Sequence, residues 1–200
     1  MAGFRGTADG ATARFAAAQA AIIRDLVGQV VELVGGESPG ETGPDDERGY
    51  DAGPGALPTD EPVDADDLAA MVGLSEHDEP PDDPVLARLF PDAYRDDAKA
   101  SGEFRRYTEE GLRSGKVAAA RTVLATLPPN GGRIRLSEAE AQAWLRALND
   151  VRLALGVRLG VTDDFDDQVA GMEPDDPRSA YVGVYQWLAF LQETLVQALT

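Results

Sequence analysis

The chain contains no cysteine and a single histidine, His77. Disulfides, thiol nucleophiles and cysteine-based metal sites are therefore excluded, and no histidine pair exists for a metal motif. A Ser-His-Asp triad would have to use His77, and neither a nucleophile elbow (Gly-x-Ser-x-Gly) nor a Ser-x-x-Lys accompanies it. Phosphate-loop and dinucleotide glycine patterns are also missing: Gly35-Gly36 and Gly131-Gly132 lie in turns without the strand-loop-helix order such sites need. No apolar run approaches the ~18 residues of a membrane span. The opening MAGFRGTADG lacks the basic-then-apolar pattern of a signal peptide. A soluble cytoplasmic protein with no cofactor, no metal and no membrane partner is expected. Carboxylate-only metal chemistry is formally open, but most acids lie in linkers where nothing would fix ligand geometry. An enzyme is not expected.

What the chain has in excess is acid, and it is concentrated. The formal net charge is −18 over 200 residues. Residues 35–84 hold 16 acidic residues against one basic residue, Arg48, while residues 98–160 hold 6 acids against 11 bases. The charge thus describes one segment, and the total neither implies nor excludes nucleic-acid binding. Glycine and proline, 21 and 13 in number, cluster in the same region. The stretch 35–62 shows no apolar period and cannot bury enough surface to offset its ordering entropy. It reads as a disordered acidic insertion, extending loosely to 83, within one helical domain spanning 1–200. Inside it, Leu68, Met71 and Val72 suggest a short docked helix over 64–74, or a segment that folds on binding.

Periodicity outlines the folded remainder. Ser137 to Gly160 is the central helix: Ser137 and Glu140 form a capping box, and Gly156 and Gly160 can each terminate it. Ala141, Trp144, Leu145, Leu148, Val151, Leu155 and Leu159 share one face at about 100° per residue. Ala16–Val34 is a second strong helix, with Ile22, Ile23, Leu26, Val27, Val30, Leu33 and Val34 apolar, expected to pack on the first. Asp83-Pro84 opens a short helix. A long one follows from Asp96 or Asp97 to about Thr126, with Phe104, Tyr107, Gly111, Gly115, Ala118 and Thr122 as its packed stripe. Gly111 and Gly115 there imply a tight crossing or a break, with Arg105, Arg106, Arg113, Lys116 and Arg121 over a solvated arc. Residues 161–177 read as a solvated acidic loop, since the spacing of Asp163, Asp164, Asp166 and Asp167 does not match a calcium loop. Asp176-Pro177 opens the last helix, which runs to Leu199. Asp9-Gly10 marks an N-terminal hairpin, and Ile134-Arg135-Leu136 supplies the strand it leans on. The expected fold is mainly α: a helical bundle of about four to five helices with a small antiparallel β-sheet, the hairpin plus a strand near 133–136.

Several polar and aromatic residues fall out of place. Arg152 lies within the apolar face of the central helix, and Gln192 holds the corresponding phase in the last helix, with Asn149 nearby. These three are candidates for a polar layer between two helices or a partner site. Arg152 is either a snorkelling or ion-paired arginine, since buried charges are paired, or an anion or partner site. Trp187 and Phe190 extend the last helix's apolar surface past its main stripe and are the candidate interface of a homodimer. Arg5, Arg14, Arg133 and Arg135 would decorate the sheet.

The stretches ARFAAAQAAIIRDLVGQVVELV, PVLARLFPDAYRDDAKASGEFRRYTEEGLRSGKVAAARTVLATL, AQAWLRALNDVRLALGVRLGV and YVGVYQWLAFLQETLVQAL together resemble an actinobacterial family of proteins of unknown function, typically encoded beside the ClpS proteolytic adaptor. The resemblance covers most of the chain outside the acidic insertion. It implies a regulatory role and a link to proteolytic quality control, and brings no catalytic residue. The function expected is a non-enzymatic adaptor or regulatory interaction protein with protein partners. The alternative is a DNA-binding transcriptional regulator using the arginines of 98–160 and the sheet.

Overall fold

The computed structural model describes residues 3–35, 81–94, 96–173 and 176–200. The acidic insertion and the helix expected over 64–74 fall almost wholly outside these residues. The described elements are β1 (Arg5–Thr7), β2 (Gly10–Phe15), α1 (Ala17–Gly35), α2 (Pro84–Leu89), α3 (Ala98–Thr126), β3 (Gly132–Ser137), α4 (Glu138–Leu159), α5 (Phe165–Ala170) and α6 (Ser179–Leu199). The fold is mainly α with a small antiparallel sheet, as the sequence indicates.

The hairpin and the strand near 133–136 form one three-stranded sheet in the order β1-β2-β3. In register, Arg5 faces Thr12 and Thr12 faces Arg135, while Arg14 faces Arg133. Alternate residues of β2 and β3 turn inward: Ala11, Ala13, Phe15, Ile134 and Leu136 are buried, as period-2 side-chain alternation requires. Gly10, at φ 141°, closes the hairpin in a conformation that other residues avoid. β1 lies so close to α6 that a Cβ at Gly6 would come within 2.8 Å of the Ala198 carbonyl oxygen.

α4 is the central element, packing on α3, α6, α2, α1 and the sheet. Its capping box is complete: the Ser137 hydroxyl accepts from the Glu140 amide, and the Glu140 carboxylate accepts from the Ser137 amide at 2.8 Å. The amide and the hydroxyl of Ser137, both donating to the carboxylate, hold the Glu140 pKa below its ordinary value. Gly160, at φ 66°, is the terminator, and the helix runs straight through Gly156. Trp144 is fully buried, stacked on Phe15 at 5.9 Å and edge-on to Phe4 at 5.6 Å, with its indole N–H donating to Thr126 at 2.8 Å. This cluster pins the sheet to the helices, each aromatic pair adding about 0.5–1.5 kcal/mol beyond area burial. α1 buries Ile23, Val27, Val30 and Val34, chiefly against α3 and less against α4.

Three expectations need correction. The loop after α4 contains α5, because Phe165 buries its ring against Tyr185 at 5.6 Å and draws a turn of helix with it. α6 starts at Ser179, since Asp176 to Ser179 forms a turn in which Asp176 accepts from the Arg178 amide. The largest correction concerns α3. Its expected packed stripe is exposed, no neighbour stands within 4 Å of where a Cβ would sit at Gly111 or Gly115, and the helix is unbroken between them. The buried face instead carries Ser101, Arg105, Glu109, Ala119, Ala120 and Val123.

Candidate functional site

The inner face of α3 is held by charge. Arg105 donates to Asp92 at 2.8 Å, to the Phe90 carbonyl at 3.3 Å and to Glu109 at 3.4 Å. Glu109 in turn accepts two bonds from Arg113, at 2.7 and 2.9 Å. Arg113 donates to the Val34 carbonyl at the end of α1, and its guanidinium lies 4.8 Å from the Phe90 ring centroid. Lys116 also lies near that ring, with its Nζ 5.6 Å from the centroid, and donates to Asp150 of α4 at 2.7 Å. Burial raises the Asp150 pKa above its ordinary value, and the hydrogen bond and charge of Lys116 oppose that shift. Buried charges survive only when paired, and this ladder pairs them while tying α1, the chain after α2, and α4 to one helix. Its chemistry is structural.

The outer face of α3 is different. Phe104, Tyr107 and Leu112 are 47%, 72% and 50% exposed. Beside them runs a groove of about 690 Å³ between α3 and α4, with Gly115, Ala118 and Thr122 on one wall and Ala139, Ala143 and Arg146 on the other. The carboxylates lining it, Glu140 and Asp150, are committed to the helix cap and to Lys116. The groove therefore offers shape and apolar contact.

A second feature lies on the sheet. Arg5, Arg14, Arg133 and Arg135 are all exposed, and the strand register puts them on one face. Arg14 and Arg133 are directly opposed; Arg5 and Arg135 flank Thr12 one step away. With strands ~4.8 Å apart and residues of one face ~6.8 Å apart along a strand, four guanidinium groups share a small area. None has a carboxylate partner among the described residues. Like charges directly opposed across a sheet are unfavourable, so this face suits an anionic partner.

The residues singled out in sequence are not assembled into one layer. Gln192 donates to the Leu145 carbonyl at 3.5 Å, not to Arg152. Arg152 is half-buried, and its Nε has no hydrogen-bond partner among the described residues. Asn149 is on another face of α4, lining the α3–α4 groove. Trp187 is half-buried against the core, its indole nitrogen unpartnered. Phe190 is half-buried beside the N-terminal arm, where a Cβ at Gly3 would meet its ring at 3.2 Å. Sequence reasoning missed the α3–α4 groove, although the unusual Phe104-to-Thr122 stripe was its signal.

Comparison with known proteins bears on all of these surfaces. The chain is 39% identical over 149 residues to "Oxidative stress regulator AosR" of Mycobacterium tuberculosis (strain ATCC 25618 / H37Rv), covering 68% of this chain and 67% of the relative. The same identity and coverage hold for "Oxidative stress regulator AosR" of Mycobacterium bovis (strain ATCC BAA-935 / AF2122/97). No solved structure gives a significant match. Among the described residues, no helix is long and apolar enough to cross a membrane. A family model described as "Domain of unknown function (DUF2017)" matches residues 1–199, and the chain belongs to that family.

Proposed function

We propose that this protein is a non-enzymatic regulatory interaction protein, and that a protein partner docks on the outer face of α3 and the groove beside it. The observation that carries the proposal is the exposed apolar surface of Tyr107, Leu112 and Phe104, the last packed edge-on against Tyr94, next to an open groove, a mark of protein-binding sites. The regulator names of the mycobacterial relatives support the regulatory part. With no cysteine in this sequence, thiol oxidation cannot be its own sensing step; a partner is one route by which a response to oxidants could enter. A link to proteolytic quality control is the finer form of this proposal. The test is affinity capture from native lysate with wild type beside Leu112→Glu and Arg152→Leu. Partner loss in Leu112→Glu with the fold intact supports the α3 face. Loss in Arg152→Leu alone moves the site to α4 and α6.

A second function, a nucleic-acid-binding regulator, is favoured by the arginine face of the sheet. Phosphate contacts by Arg5, Arg14, Arg133 and Arg135 would make binding fall steeply with salt. The test is retention on double-stranded DNA at low and moderate salt, with and without residues 37–80 replaced by a short linker. Removing that acidic stretch should strengthen retention, and no retention of either form at low salt refutes this function.

A further inference from the structure

We propose that the α3 face docks a second copy of this chain, with the two α3 helices antiparallel about a two-fold axis near Arg113. The inference rests on the docking face described above and names its occupant.

The distribution of side chains along α3 points to a copy of itself. Large groups, Phe104 and Tyr107, occupy the first half of the exposed stripe; small ones, Ala118 and Thr122, occupy the second, with Gly111 and Gly115 between. Antiparallel pairing that sets Gly111 against Gly115 of the other copy brings Phe104 level with Thr122 and Tyr107 level with Ala119. The aromatic half of each helix then meets the small-residue half of the other. The open space at both glycines permits close approach of the backbones. Thr122, Ala139 and Ala143 line the groove at the level Phe104 would reach, so that ring has a place to enter. A two-fold interface needs such a self-complementary patch.

Charge agrees with this orientation. Glu103 and Arg121 are separated by 18 residues on α3, which is about five turns at 3.6 residues per turn. They therefore lie on the same flank of the exposed face, too far apart to pair within one chain. The antiparallel arrangement brings Glu103 of each copy within a turn of Arg121 of the other, twice per dimer. A parallel arrangement would set Glu103 level with Glu103 and Arg121 level with Arg121, so neither pair would form. The stripe from Phe104 to Thr122 is only ~27 Å long at 1.5 Å per residue, so the contact falls below the ~800 Å² per partner of a standard interface. The dimer is accordingly of the weak, concentration-dependent kind.

Sedimentation velocity over a concentration series tests the inference on the full chain. A reversible monomer–dimer equilibrium is expected. Phe104→Glu should abolish it, and circular dichroism should show an unchanged fold because the residue is half exposed. Glu103→Arg and Arg121→Glu should each weaken association by about tenfold, from two lost exposed pairs per dimer and the repulsion that replaces them. The double variant should restore it, an outcome specific to antiparallel pairing. A monomer throughout the series overturns the inference, as does a dimer that Phe104→Glu leaves intact. If the chain stays monomeric while Leu112→Glu still loses captured partners, the second copy is refuted and the docking face stands.

Discussion

Replacing Lys116 with methionine would leave Asp150 as a buried carboxylate without its cation. The two side chains are 20% and 6% exposed and 2.7 Å apart. Breaking a buried pair from one side costs about 3–5 kcal/mol. Lys116 keeps some contact with water, so the lower end, about 3 kcal/mol at neutral pH, is the expectation. At about 2–4 °C per kcal/mol for a protein of this size, that is a fall in Tm of about 6–12 °C. The sign of its pH dependence follows from Asp150. Burial already raises its folded pKa above the unfolded value, and loss of Lys116 raises it further. Above the folded pKa the variant carries the full penalty of a buried charge. As pH falls through the folded value toward the unfolded one, Asp150 takes a proton in the folded state and the penalty shrinks. The double variant Lys116→Met with Asp150→Leu should recover most of the loss, since apolar replacement of a buried pair is often neutral or better. Urea titrations of wild type, both single variants and the double variant from pH 4 to 8 measure this. A neutral Lys116→Met, or a deficit that does not shrink toward acid pH, refutes the structural role given to the pair.

Other substitutions check separate parts of the structure. Gly115→Ala has open space around it and should stabilise the chain by about 0.8–1 kcal/mol through helix propensity; thermal melts of the dilute protein would show a loss instead if the glycine served a crossing within the chain. Ser137→Ala removes half the capping box and should cost about 1 kcal/mol. In wild type, the stability that Glu140 adds through its lowered pKa is present above the unfolded carboxylate value and lost as pH falls through the folded one; in Ser137→Ala this acid-side loss, read by urea titration, should diminish. Arg133→Glu, opposite Arg14, should raise stability by up to about 1 kcal/mol while reducing retention on DNA; loss of stability would show that the arginine face is not under mutual repulsion.

How much of this was legible depended on which face of each helix had an apolar answer. For α4, Ser137, Glu140, the Trp144-to-Leu155 stripe and Gly160 all agree, and the helix forms where they say. The sheet was legible in part: Asp9-Gly10 marks the hairpin and Ile134 and Leu136 alternate inward, but the two loop residues are Ala8-Asp9 and Gly10 opens β2. α3 defeated the pattern because its buried side in the first half is polar. Arg105, Glu109 and Arg113 pair their charges beside the Phe90 ring, and periodicity counts such residues as solvated. The pairing of charges by i and i+4 along one helix was the available clue, though it does not say which way the pairs face. Arg152 and Gln192 shared a phase, but phase fixes an angle and not a height. The antiparallel packing of α4 and α6 leaves them unjoined, with Gln192 on the Leu145 carbonyl.

The Arg113 side chain has a further consequence, for how distant parts of the chain are joined. It binds the Val34 carbonyl at the end of α1 and stacks on Phe90, just past α2. The Val34 carbonyl and the Phe90 ring, 56 positions apart in sequence, thus meet at a single post on α3. A substitution there, such as Arg113→Ala, would therefore loosen the end of α1 and the segment after α2 together.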